Sequence, residues 1–213
     1  ELLVYLPLYA EVRSLELGLE DGCAVSPAAA PERHVVFYGS SITDGYCASI
    51  PSNTYSAMLC RWLDCDYQNL GFDGMAKGET AMAEIIAKKD FTVFVMDYDH
   101  NAPNPAHLAA THEPFFRIVR NAHPTAPILL CSRPNFFENT AESNLRRDII
   151  LQTYQNARAA GDDNVYFVDG ETYFGAFGSE CCTVDCCHPN DLGFFRMAEK
   201  LYAVMQSIAN RGR

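Results

Sequence analysis

From residue 34 onward the chain alternates between short runs, most of them apolar, and longer stretches with helical spacing. Val35-Val36-Phe37-Tyr38 is the first apolar run, followed by Tyr67 to Leu70, Phe91 to Met96, Ile128-Leu129-Leu130-Cys131 and Val165-Tyr166-Phe167-Val168. Continuous apolar runs of this length, bounded by turn residues, read as strands buried on both faces. Between them the spacing predicts helices over Tyr55 to Leu63, Gly78 to Ala87, Pro105 to Asn121 and Thr140 to Ala160, the last closed by Gly161; a terminal helix runs over Leu192 to Ile208. Five such strands separated by helices predict an α/β fold, a parallel sheet with helices on both faces. Sites in such sheets lie outside the carboxyl ends of the strands. The residues just after each strand are therefore the functional candidates.

Residues 1–30 follow a different pattern. Val4-Tyr5-Leu6 and Ser14-Leu15-Glu16-Leu17 alternate as strands with one buried face do, and Val25-Ser26-Pro27-Ala28-Ala29-Ala30-Pro31 reads as a linker. Glu1-Leu2-Leu3-Val4-Tyr5 resembles the middle of a strand, so the expectation is a chain that starts inside a longer protein. Residues 31–213 form the main domain.

Composition narrows the function. The chain has 213 residues, 48% apolar and 20% charged, which describes one folded globular domain with a small appendage. No apolar run reaches the ~18 residues of a membrane span, and no membrane partner is expected. A formal net charge of -11 argues against nucleic acid, whose binding needs a basic surface. A neutral small molecule suits this charge best. Nine cysteines are an odd number. Cys181-Cys182 and Cys186-Cys187 are adjacent pairs, and neighbouring thiols fit one zinc tetrahedron poorly. Reduced thiols in a reducing compartment are the simpler reading, so no metal and no cofactor are expected, and the expected location is the cytoplasm.

The strand ends carry a coherent set of groups. Gly39-Ser40-Ser41-Ile42-Thr43 follows the first strand, Gly71-Phe72-Asp73-Gly74 the second, and Asp97-Tyr98-Asp99-His100-Asn101 the third; Asp185-Cys186-Cys187-His188-Pro189 follows the fifth after a loop. They supply a hydroxyl, a backbone amide, a side-chain amide and a carboxylate–imidazole pair. Acyl transfer needs those groups: a base to activate serine, a carboxylate to orient the base, and donors for the developing oxyanion. Taken singly, each has an ordinary explanation as a cap, turn or loop residue. Among the other histidines, His34 lies at the wrong end of the sheet. His107, His112 and His123 fall on or beside a helix expected to be at the surface.

Together the four segments resemble the consensus blocks of the SGNH (GDSL-type) hydrolase superfamily. Gly39-Ser40-Ser41-Ile42-Thr43 is similar to the nucleophile block. Asn69-Leu70-Gly71-Phe72-Asp73-Gly74 resembles the block ending in an oxyanion glycine, Asn101 matches the asparagine block, and Asp185-Cys186-Cys187-His188-Pro189 matches the closing Asp-x-x-His-Pro. The resemblance implies a three-layer, flavodoxin-like fold. It also implies a Ser41–His188–Asp185 triad and an oxyanion hole built from Ser41, Gly74 and Asn101. Ser40 stands where an aspartate is usual, and Asp99-His100-Asn101-Ala102 replaces the common Gly-x-Asn-Asp. Residues 1–24 look like the end of a β-rich domain that precedes the catalytic domain in one bacterial branch, whose members are often carbohydrate-ester hydrolases. The implied activity is hydrolysis of a small acyl ester, acetate above all, on a sugar. The alternatives are a lipase or thioesterase for longer chains, or a non-catalytic carbohydrate-binding module on the same fold. Tyr46, Tyr98 and His100 are the expected substrate contacts, with Phe72 and Phe136 as further aromatic residues near strand ends. Homo-oligomer formation is left open.

Overall fold

The computed structural model describes residues 2–134, 137 and 139–211. Its five strands are β1 (His34–Gly39), β2 (Asp66–Gly71), β3 (Val93–Asp97), β4 (Ile128–Cys131) and β5 (Val165–Val168). All pair in parallel, in the order β2-β1-β3-β4-β5. The helices are α1 (Ser41–Asp44), α2 (Tyr55–Leu63), α3 (Thr80–Ile86), α4 (Pro105–Ala122), α5 (Thr140–Ala159) and α6 (Asp191–Arg211). Each apolar run sends successive side chains to opposite faces. Val35 and Phe37 enter a core shared with Leu59 of α2 and Phe194 of α6. Val36 and Tyr38 enter a second core with Ile86 of α3, Phe115 of α4 and Ile150 of α5. Two cores on one sheet give three layers, as the uninterrupted apolar strands predict.

Helix boundaries follow local chemistry. The Thr54 hydroxyl accepts from the Ala57 N–H, the Asn104 side chain from the His107 N–H, and the Asn139 side chain from the Glu142 N–H. Each closes the open N-terminal turn of its helix. The one element that the hydrophobic pattern missed is α1, which is too short to show a period.

The direction of winding reverses at β1. The chain passes from β1 outward to β2, then returns to the other side of β1 as β3. Their carboxyl ends form the crevice where such sheets bind ligands. Ser41 leaves β1 and Asn101 leaves β3 on this rim.

Residues 2–30 depart from expectation. They form no strand among the described residues, so the paired strands expected over residues 1–24 are not found there. A strand needs a neighbouring backbone, and this segment meets the rest of the molecule through side chains. Arg61 Nη1 donates to the Tyr5 hydroxyl at 3.1 Å, and the Tyr9 and Tyr46 rings meet edge to face at 5.6 Å. Leu2, Leu3, Leu15, Leu17 and Leu19 remain exposed. Among the described residues no helix is long and apolar enough to cross a membrane.

Candidate active site

The nucleophile turn is built by close packing. A Cβ on Gly39 would lie 2.0 Å from Thr43 Oγ1 and 2.5 Å from the Asp97 carbonyl oxygen, so only glycine lets α1 fold back against β3. Ser40 is the N-cap of α1, and its hydroxyl accepts from the Ile42 N–H at 3.1 Å. Ser41 is the first residue of α1, so its own N–H has no acceptor within the helix. Its Oγ lies 3.0 Å from His188 Nε2.

Beneath the serine, Thr43 Oγ1 and the Tyr55 hydroxyl both donate to Asp97 Oδ2, at 3.1 and 2.9 Å. Asn69 Nδ2 donates to the Thr43 carbonyl at 2.7 Å, tying β2 to α1. Burial pushes the Asp97 carboxyl up to about 7, against the pull of the two hydroxyls. Sequence reasoning gave no part to Thr43, Tyr55, Asn69 or Asp97 in holding the serine. A carboxylate closing an apolar strand, as Asp97 does, was the available signal.

The base sits in a tight loop. Thr183 and Pro189 form an antiparallel bridge, and the Val184 N–H donates to the His188 carbonyl at 2.9 Å. Asp185 Oδ1 accepts from the backbone N–H groups of Cys187 and His188, at 3.0 and 2.7 Å. Asp185 Oδ2 lies 2.7 Å from His188 Nδ1. The His188 backbone and side-chain bonds hold the Asp185 carboxyl down to about 2. An ionised acceptor facing Nδ1 keeps a proton there, which leaves Nε2 as the acceptor for the Ser41 hydroxyl. The structure therefore brings Ser41, His188 and Asp185 into one hydrogen-bonded chain. The Tyr46 ring packs on the His188 ring, centroids 4.7 Å apart.

Asn101 ends a single 3-10 turn, Asp99–Asn101, just after β3. Its Oδ1 accepts the Ala76 N–H at 3.2 Å. That contact fixes the amide orientation and leaves Nδ2 without a hydrogen bond among the described residues. Gly74, with φ of 65°, is in the left-handed region that favours glycine, and its N–H has no acceptor among the described residues. The Ala76–Asn101 bond thus joins the loop after β2 to the turn after β3, each carrying one candidate donor.

The expected substrate contacts divide. Tyr46 stands exposed over His188. Tyr98 does not reach the surface: it is 1% exposed, its hydroxyl pairs with Thr111 Oγ1 at 2.8 Å, and its ring stacks on His112. It belongs to the core below the rim, a correction to its expected role. His100 is partly buried, with Nδ1 3.9 Å from the Cys187 sulfur and Nε2 buried without a hydrogen-bond partner among the described residues. Burial, with Arg133 and Arg146 nearby, lowers its imidazole to about 3, so it stays neutral. Phe72 is partly exposed, and Phe136 lies outside the described residues. His112, expected on a surface helix, is buried and bonded to Thr153 Oγ1 at 2.8 Å. Its position faces α5, where the sequence pattern gives no warning. Among the described residues no three His, Cys, Asp or Glu side chains are grouped to hold a metal ion.

A serine–histidine–aspartate chain on the rim of a parallel three-layer sheet has the groups and the order of an acyl-transfer hydrolase. Residues 32–206 match the GDSL-like Lipase/Acylhydrolase family, and the chain belongs to that family. A GDSL-like lipase from Bacteroides ovatus is similar at 31% identity and a TM-score of 0.76, over 86% of this chain and 55% of its own length. The salicylyl-acyltransferase SsfX3 of a tetracycline biosynthetic pathway shares the fold at 24% identity and a TM-score of 0.72, over 86% of this chain and 56% of its own. A family two carbohydrate esterase from Clostridium thermocellum, solved with cellohexaose, shares it at 20% identity and 0.71, over 87% of this chain and 67% of its own. The chain thus spans little more than half the length of the first two. No curated protein matches it.

Proposed function

We propose that this protein is a serine esterase that removes small acyl groups, acetyl above all, from carbohydrate hydroxyls. The observation that carries the reading is the continuous Ser41–His188–Asp185 chain, with links of 3.0 and 2.7 Å. Ser41 Oγ attacks the ester carbonyl carbon while His188 Nε2 takes its proton. The tetrahedral oxyanion is met by the Ser41 N–H, the Gly74 N–H and Asn101 Nδ2. The ester C–O bond breaks, and the departing alcohol takes the proton from the imidazolium. Water then attacks the acyl carbon while His188 Nε2 takes its proton, and the acyl–Ser41 bond breaks as Ser41 Oγ recovers that proton from the imidazolium, releasing the acid. Asp185, held ionised by its hydrogen bonds, supports the imidazolium in both halves.

The substrate class rests on the carbohydrate esterases that share this fold and on the polar rim. Asp44 and Asp73 lie close enough for Asp73 to raise the Asp44 carboxyl, an effect second to that of burial. A hydroxyl-rich alcohol can pair with such groups; an alkyl chain would desolvate them unpaired. The test is kcat/KM for acetate, butyrate and octanoate esters of one alcohol, with Ser41→Ala as control. The highest value is expected for acetate. A steady rise toward octanoate would overturn the acyl preference, because each buried methylene contributes about 0.8 kcal/mol in an apolar tunnel. Wild-type turnover no greater than that of Ser41→Ala would overturn the mechanism.

A further inference from the structure

We propose that Arg146, on α5 and outside the triad, is a positioning residue for the oxyanion site: it clamps the turn that carries Asn101. The inference rests on the esterase reading above and adds to it the device that holds one of its donors. Arg146 is 3% exposed and Asp99 is 1% exposed. The guanidinium reaches both sides of Asn101. Nη1 donates to the Asp99 carbonyl at 2.9 Å and to Asp99 Oδ1 at 3.2 Å. Nη2 donates to the Ala102 carbonyl at 3.0 Å. Nε is taken by Glu142 Oε1 at 2.7 Å, one turn earlier on α5. The other Asp99 oxygen accepts the Arg133 N–H at 2.9 Å, so the same carboxylate also anchors the chain leaving β4. The guanidinium presents five donors in a rigid planar fork, which lets one side chain bridge two carbonyls and a carboxylate at once.

Two further observations give the clamp a catalytic reason. Burying a charged pair costs desolvation that the pairing often fails to return as stability, and apolar side chains of similar volume commonly do as well. Here the guanidinium bonds the carbonyls of Asp99 and Ala102, which flank His100 and Asn101. In addition, Asn101 Oδ1 is held by the Ala76 N–H at 3.2 Å, a long bond that a small movement of the turn would break. Losing it would release the amide to rotate and would loosen the loop carrying Gly74.

The test is a double-mutant cycle with Asn101→Ala, measured with p-nitrophenyl acetate on the whole chain. Arg146→Ala is expected to lower kcat about 10- to 100-fold, in the range of a weakened oxyanion donor, with KM changed less than about twofold. In the Asn101→Ala background the same substitution should change kcat by less than about twofold, because the group through which it acts is gone. An equal fall in both backgrounds, or no fall in either, overturns the proposal. Arg146→Lys serves the same cycle if the alanine variant does not fold: it keeps the charge beside Asp99 but cannot span both carbonyls. Amide hydrogen exchange of Arg146→Lys gives a readout independent of activity. Faster exchange at Ala76, Asn101 and Ala102, with the rest of the sheet unchanged, is expected. Unchanged exchange there overturns the clamp even if no ester is turned over, whereas a wild type as inactive as Ser41→Ala counts against the esterase reading alone.

Discussion

Among the described residues Ser41 Oγ has one hydrogen-bonding partner, His188 Nε2. Ser41→Ala should therefore lower kcat about 10⁴-fold or more while leaving the denaturant midpoint unchanged. Stopped assays with p-nitrophenyl acetate and a urea titration check both halves. A second residue-scale expectation concerns protons. Asp185 is held down to about 2, so its carboxyl stays ionised in mild acid and keeps its hold on His188 Nδ1. Asp185→Asn should therefore lower kcat, and a rate unchanged in that variant would argue against the triad.

At the scale of elements, the helix bearing the nucleophile depends on the strand beside it. A Cβ on Gly71 would stand 2.1 Å from the Asp44 nitrogen and 2.5 Å from its Cα, both backbone atoms of α1. Gly71→Ala must displace α1 from β2. Overpacking of this kind costs about 1–3 kcal/mol, and here the displaced element carries Ser41. A fall in kcat larger than that seen for a distant variant of equal stability is expected. The N-terminal segment makes the other element-scale contact with the site. Tyr9 packs on Tyr46, which packs on His188, and residues 5–10 wall a cavity of about 470 Å³ with residues 48–51. Tyr9→Ala should raise KM for esters of bulky alcohols and leave p-nitrophenyl acetate little affected. Equal effects on both would place Tyr9 outside the substrate path.

Across the whole molecule, buried titratable groups on both faces of the sheet shape stability against pH. Burial lowers His112 to about 3, and burial with nearby Arg133 and Arg146 does the same to His100. The folded state then binds fewer protons than the unfolded chain, so stability is present above the unfolded value of about 6.5 and is lost as pH falls toward 3. Asp97 acts with the opposite sign. Raised to about 7, it binds a proton in the folded state that the unfolded chain releases near 4. It contributes stability at low pH that is lost as pH rises toward 7. The two histidines thus steepen the acid limb of the stability profile, and Asp97 the neutral limb. His112→Gln should flatten the acid limb and Asp97→Asn the neutral limb in urea titrations from pH 4 to 8. An unaltered acid limb in His112→Gln would remove His112 from the account.

The sequence by itself determined the fold class, because a strand buried on both faces must be apolar at every position, and that signal is local. It determined β4 and β5 to the residue and the other strands within a residue or two. It also placed Ser41 and Asn101 at strand ends, since each lies within a few residues of the apolar run that positions it; the Asp185–His188 pair lies beyond a long loop after β5 and was legible through its resemblance to a closing Asp-x-x-His-Pro block. Tertiary structure alone decided everything that depends on a neighbour distant in the chain. Tyr98 went into the core because Thr111 and His112 of α4 cover it, and His112 because α4 turns it toward Thr153 of α5. The N-terminal alternation formed no strand because alternation supplies a face and not a partner. The Thr43–Tyr55–Asp97 cluster and the Arg146 clamp join residues as far apart as 54 positions. No periodicity links such residues. Only the packing of helices on both faces of the sheet brings their polar groups together, away from water, where hydrogen-bond geometry decides what each can do.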